Sequence, residues 1–139
     1  MFQRLPFDPV FEAVTRILGA TPVSLSPGAI YEASIGRIEV ANYKVFASFL
    51  MYDDAEIAER TGLHHVGFSG ELFVVTEASY TPGSKTAFAM GAGDLVSFVD
   101  AHRKIFNDPF FHGDVVIVER DGRKLWTFDH EGQHGLLCG

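Results

Sequence analysis

The sequence predicts an α+β fold. It reads as one domain spanning residues 1–139, an antiparallel sheet packed by an N-terminal helix and a later helix, with a C-terminal β-hairpin. Three observations predict this. Two segments, one near the start and one near residue 100, carry apolar residues at helical spacing. The stretches between and after them are rich in Val, Ile, Phe and Tyr, which favour strands. Near the end, Asp121-Gly122 separates two apolar runs that pair well across a turn.

The first helix is expected to be capped by Asp8, with Pro9 at its first position. Val10, Phe11, Val14, Ile17 and Leu18 share one face, and Gly19 is the expected stop. Residues Ala29–Val40 alternate loosely and are expected to be strands around a Gly36-Arg37 turn. Tyr43–Tyr52 is expected to be a well-buried strand. Asp53-Asp54 then cap a short helix over Ala55–Thr61 that Gly62 ends.

Gly67–Glu71 reads as a turn, Leu72–Thr76 as a strand, Ser79–Ser84 as a loop around Pro82-Gly83, and Thr86–Met90 as a strand. The second helix begins at Asp94. Leu95, Phe98, Val99, His102, Ile105 and Phe106 form its apolar face, and Asn107-Asp108-Pro109 ends it. The hairpin Asp114–Arg120 / Arg123–Asp129 turns at Asp121-Gly122 as a type I′ turn. That register sets Val115 against Phe128, Ile117 against Trp126, Val118 against Leu125 and Val116 against Thr127, with Glu119 facing Lys124 in a charge pair. Both faces of the hairpin are apolar, so both are expected to be covered.

Charge and composition narrow the function. The 139 residues are 47% hydrophobic and carry a formal net charge of −7. Residues 51–80 hold six acids and one base, so the charge is concentrated there. A phosphate backbone would be repelled, and no nucleic-acid partner is expected. A basic protein would be attracted. The single cysteine, Cys138, excludes an internal disulfide and suits a reducing compartment. No stretch approaches the roughly 20 apolar residues that span a bilayer. A soluble, cytoplasmic protein with no membrane partner is the expectation.

One motif matches a metal site in letters. His130-Glu131-Gly132-Gln133-His134 reads H-E-x-x-H, the zinc pattern of metalloproteases. That chemistry needs both histidines one helical turn apart, so that both reach one ion at about 2.0–2.1 Å. Here the motif follows an expected strand and contains a glycine, so a turn is expected instead. His130, His134 and Cys138 remain the alternative metal ligands. Gly67-Phe68-Ser69-Gly70-Glu71 approximates a nucleophile elbow but leads into a strand rather than a helix. Gly83-Ser84-Lys85-Thr86 lacks the order of a phosphate loop, and Gly91-Ala92-Gly93 lacks the third glycine of a dinucleotide turn. No cofactor is expected, and no catalytic residue is assigned. His102, on an apolar face, is expected to be a hydrogen-bonded core histidine.

The expected function is therefore an acidic protein-binding domain of the type that neutralises a basic, nuclease-type toxin. Asp53, Asp54, Glu56 and Glu59 are the expected partner-binding residues. The alternative is a small-molecule-binding domain, or a metal-dependent hydrolase using His130 and His134.

Overall fold

The computed structural model describes residues 1–81, 83 and 85–139, and the side chains of all of these except Ala41 and Asn42. In chain order the elements are β1 (Gln3–Pro6), α1 (Asp8–Leu18), α2 (Pro27–Ser34), β2 (Val40–Val45), α3 (Asp54–Thr61), β3 (Glu71–Val75), β4 (Thr86–Gly91), α4 (Leu95–Phe106), β5 (Val115–Glu119), β6 (Lys124–Phe128) and β7 (Gln133–Cys138). The seven strands form one antiparallel sheet in the order β1-β4-β3-β5-β6-β7-β2.

Alternation along the strands builds two cores, one on each face of the sheet. Leu72, Val74, Phe88, Val115, Ile117, Trp126 and Phe128 face one way and meet Ile57 and Ala58 of α3, Phe98 and Val99 of α4, and Phe110 and Phe111. Phe73, Val75, Val116, Val118, Leu125 and Leu137 face the other way, onto Val10, Val14 and Ile17 of α1 and Ile30 of α2. The β5–β6 hairpin is covered on both sides, as its two apolar faces require. Its register is the expected one from Val115↔Phe128 to Val118↔Leu125.

The turn of that hairpin differs from expectation. A type I′ turn needs positive φ at both central residues, and neither Asp121 nor Gly122 has it. The connection is instead a wider loop closed by the Glu119 carboxylate, which accepts from the backbone N–H of Arg123 (2.9 Å) and Lys124 (3.0 Å). Glu119 and Lys124 make no charge pair. The Lys124 ammonium donates to the carbonyls of Val66 (3.0 Å) and Gly67 (2.9 Å).

Two further expectations are corrected. Ala29–Val40 is not a pair of strands, because its first half, Ala29–Ser34, lies in α2 and only Val40 is in a strand. Ser26 caps that helix, its hydroxyl accepting from the Ala29 N–H at 3.3 Å, and Pro27 occupies the first turn. Tyr43–Tyr52 is not one buried strand. The strand ends at Val45, and Phe49–Met51 is a 3-10 turn. β2 is also the outermost strand, paired only with β7, so Tyr43 and Val45 are exposed. At the other edge lies β1, although Gln-Arg-Leu-Pro carries no strand pattern.

The helix reading holds at α1, α3 and α4, except that Ile105, expected on the apolar face of α4, is exposed, and that one cap shifts. Asp8 lies in the first turn of α1 rather than at its cap, which is Phe7, while Gly19 ends the helix at φ 75°. A 3-10 turn over Glu77–Tyr80 overlaps the first two residues of the loop expected at Ser79–Ser84; Thr81 and Gly83 are irregular as expected, and Pro82 and Ser84 lie outside the described residues. No helix among the described residues is long and apolar enough to cross a membrane.

Candidate functional site

The acidic segment forms the turn into α3 and the helix itself. Asp53 has extended backbone and caps the helix, its Oδ1 accepting from the Glu56 N–H at 2.9 Å. Asp54 faces inward. Its two carboxylate oxygens accept from the backbone N–H groups of Phe110 (2.8 Å) and Phe111 (3.2 Å), which pins the segment after α4 onto the start of α3. Glu56 and Arg60 pair one helical turn apart at 2.8 Å, and the Arg60 guanidinium lies 4.2 Å from the centre of the Tyr52 ring. Glu59 faces His65 at 3.8 Å.

The four expected partner-binding residues thus lie on one short helix and its cap, but their roles differ. Asp54 and Glu56 are half-buried and engaged within the fold, whereas Asp53 and Glu59 are exposed.

Beside these acids stands an apolar feature that the sequence reading missed. Leu50 and Met51, on the 3-10 turn, are 77% and 81% exposed. Their neighbour Phe49 is buried against Phe128, so the turn is anchored while the next two side chains project outward. Next to them a cleft of about 450 Å³ opens between α3 and α4. Phe49, Leu50, Tyr52 and Phe111 supply its apolar wall, and Asp53, Asp100, Arg103 and His112 its polar rim. In the sequence, Phe49-Leu50-Met51-Tyr52 looks like the buried run of a strand. Only the cap at Asp53 immediately after it signals that the chain is turning.

The H-E-x-x-H residues are not helical. Asp129–Gly132 is the tight turn between β6 and β7, closed by Gly132 N–H donating to the Asp129 carbonyl at 2.9 Å and Asp129 N–H donating to Gln133 O at 2.9 Å. Gly132 adopts φ 87°. His130 is exposed on the turn, and its Nδ1 lies 3.0 Å from Asp114 Oδ1. This bond to the Asp114 carboxylate raises the His130 pKa above its ordinary value. His134 is only 5% exposed, in β7, and Cys138 lies at the far end of that strand. Along an extended strand four residues span roughly 13 Å, so His134 and Cys138 do not converge. Among the described residues, no cluster of three His, Cys, Asp or Glu side chains could hold a metal ion.

The other motifs have structural roles. Gly67 and Gly70 both take positive φ around Ser69, whose backbone N–H donates to Glu119 at 2.8 Å, and the chain continues into β3 rather than a helix. Gly91-Ala92-Gly93 leads through a 3-10 turn into α4. His102 is fully buried, with Nδ1 2.6 Å from the Asp108 carbonyl and Nε2 2.9 Å from the Thr76 hydroxyl. No protein-family model, curated protein or solved structure matched the chain.

Proposed function

We propose that the chain is a binding domain for a basic protein, and that its contact face is the 3-10 turn and α3, residues 49–60. One observation carries the reading: Leu50 and Met51 stand 77% and 81% exposed just ahead of the exposed acid Asp53, which caps α3. An apolar centre with a charged rim is the usual anatomy of a protein interface. Two large apolar side chains side by side in water need a purpose more than isolated ones do. The segment carries four acids against Arg60 alone. Such a field speeds encounter with a cationic partner and disfavours acidic ones.

A nuclease-type toxin is the partner class this charge suits best, since its own substrate is a polyanion. The domain would occupy the surface that nucleic acid uses. The encounter would take place in the cytoplasm, in keeping with a chain whose one cysteine is free.

Affinity capture from the source cell tests the reading, with wild-type chain, L50D/M51D and D53K/E59K used in parallel. The expected result is a basic protein held by wild type, released as salt rises from roughly 50 to 500 mM, and lost from both variants. Adding the chain should also suppress that protein's nuclease activity. A captured protein that is acidic, or capture indifferent to both variants, overturns the proposal. Capture of a basic protein without nuclease activity keeps the binding reading and removes the toxin.

A further inference from the structure

A second cleft, of about 550 Å³, opens between the end of α3 and the strands β2 and β7. This size is within the range of small-molecule sites. Its floor is Trp126 and His134, and its sides carry Lys44 from β2, Arg60 from the end of α3 and His65 from the 3-10 turn Leu63–His65 that follows it. The sheet register explains the grouping. Lys44 and His134 are direct partners across β2 and β7, so their side chains stand on the same face. That face also carries Trp126 and Phe128, and the His134 ring lies nearly parallel to Phe128 at 6.0 Å.

His134 is the unusual member. It is only 5% exposed, and its Nδ1 is 3.1 Å from the Gly132 carbonyl. A carbonyl only accepts, so Nδ1 carries a hydrogen. The other ring nitrogen, Nε2, has no hydrogen-bond partner among the described residues. His134 lines the cleft, so a molecule there can supply that partner. Around it are two cations. Lys44 has no ion-pair partner among the described residues. Arg60 uses Nε for Glu56 and lies over the Tyr52 ring, and its terminal nitrogens make no hydrogen bond among the described residues. The one carboxylate at the cleft, Glu59, is turned toward His65 at 3.8 Å.

We propose that this cleft binds a small hydroxylated anion, with Lys44 and Arg60 holding the anionic group and His134 Nε2 the hydroxyl. Trp126 gives the carbon skeleton an apolar wall. A hydroxycarboxylate and a sugar phosphate share this chemistry. The cleft shares Glu59 and Arg60 with the proposed contact face, but Leu50 and Met51 do not line it, so L50D/M51D separates the two readings.

Correlation spectra of the histidine ring nitrogens test it, with malate, glucose 6-phosphate and glucose titrated into the ¹⁵N-labelled chain. One of the two anions is expected to move the His134 Nε2 resonance saturably, with half-saturation below about 1 mM. Which of the two does so identifies the anionic group. Glucose is expected to leave the resonance in place, and so is the anion at His130, which lies outside the cleft. Lys44→Met, at an exposed position that does not support the core, is expected to weaken binding at least about fivefold. L50D/M51D is expected to leave it unchanged. The proposal is overturned if neither anion gives a saturable shift by about 10 mM, if glucose acts equally well, or if Lys44→Met binds as wild type does.

Discussion

Single side chains close several of the joints in this fold. Glu119 is 4% exposed, and its carboxylate accepts from the N–H groups of Ser69, Arg123 and Lys124 at 2.8–3.0 Å. It therefore ties the turn before β3 to the β5–β6 loop. Glu119→Ala leaves three part-buried donors without an acceptor and is expected to cost about 2–4 kcal/mol. Glu119→Gln, which keeps one acceptor oxygen, should cost less. Urea unfolding of both variants measures this, and a Glu119→Ala protein within about 0.5 kcal/mol of wild type would contradict the role. His102 makes a second residue-level prediction. Burial pushes its pKa below the ordinary 6.5, against the opposing hydrogen bond to the Asp108 carbonyl, and burial lowers His64 as well. For a group depressed on folding, the unfolded chain takes up the proton first. Stability is therefore complete above about pH 6.5 and falls as pH drops below it. His130 is raised instead, so its contribution is present at low pH and lost as pH rises through the raised value. At an exposed site that contribution is small. The net expectation is a lower urea midpoint at about pH 5.5 than at about pH 7.5, with a shallower slope in His102→Gln. An unchanged or higher midpoint at the lower pH would contradict it.

At the scale of elements, the β6–β7 turn shows how a motif can match in letters and differ in geometry. Gly132 sits at φ 87°, and a Cβ there would overlap the Phe46 carbonyl. The Gly132 carbonyl also accepts from the Phe46 N–H at 2.9 Å, fastening the end of β2 to the turn. Gly132→Ala is therefore expected to destabilise by about 1–3 kcal/mol and to speed amide exchange in β2 before the central strands. Thermal unfolding with exchange mass spectrometry checks both, and wild-type exchange in β2 would contradict the close approach. The elements that were legible in the sequence are those whose signals are local. Asp53 and Gly62 bracket α3, Gly19 stops α1, and the alternation of Val115–Val118 against Leu125–Phe128 fixes a register. The elements that misled are those decided by position in the sheet. Tyr43 and Val45 have strand side chains, but only the strand order shows that they lie at a solvent-facing edge. Likewise β1 exists because β4 offers an unpaired side, which no pattern in Gln3–Pro6 announces. Ser26-Pro27 at the start of α2 is a local cap signal, whereas the β-branched residues after it favour a strand. The acids of the proposed contact face were visible as a charge run. Leu50, Met51 and the cleft around His134 depend on tertiary placement and were not.

At the scale of the whole molecule, the two cores share one sheet, and this decides how the protein comes apart. β5 is the fourth of seven strands, and all five of its residues are buried. Val115 and Ile117 belong to the core under α3 and α4, while Val116 and Val118 belong to the core under α1 and α2. Neither core can be lost while β5 stays properly covered, because stripping one face exposes the alternate residues of every central strand. The two layers should therefore unfold as one cooperative unit despite lying on opposite sides of the sheet. Trp126 reports on the first core, and the Tyr31–Thr127 contact lies on the second face. Their unfolding curves, by tryptophan fluorescence and by the tyrosine ring resonances of Tyr31, are expected to share one urea midpoint. Ile117→Ala and Val116→Ala each remove packing from one core only. They are expected to lower both curves together, by about 2–5 kcal/mol for Ile117→Ala and somewhat less for Val116→Ala. Amide exchange should rank the strands by the same logic, slowest in β5 and its neighbours and fastest in β1 and β2, whose outer sides are unpaired. Two separated midpoints, or a variant that shifts only the probe in its own layer, would mean that the sheet does not couple its faces.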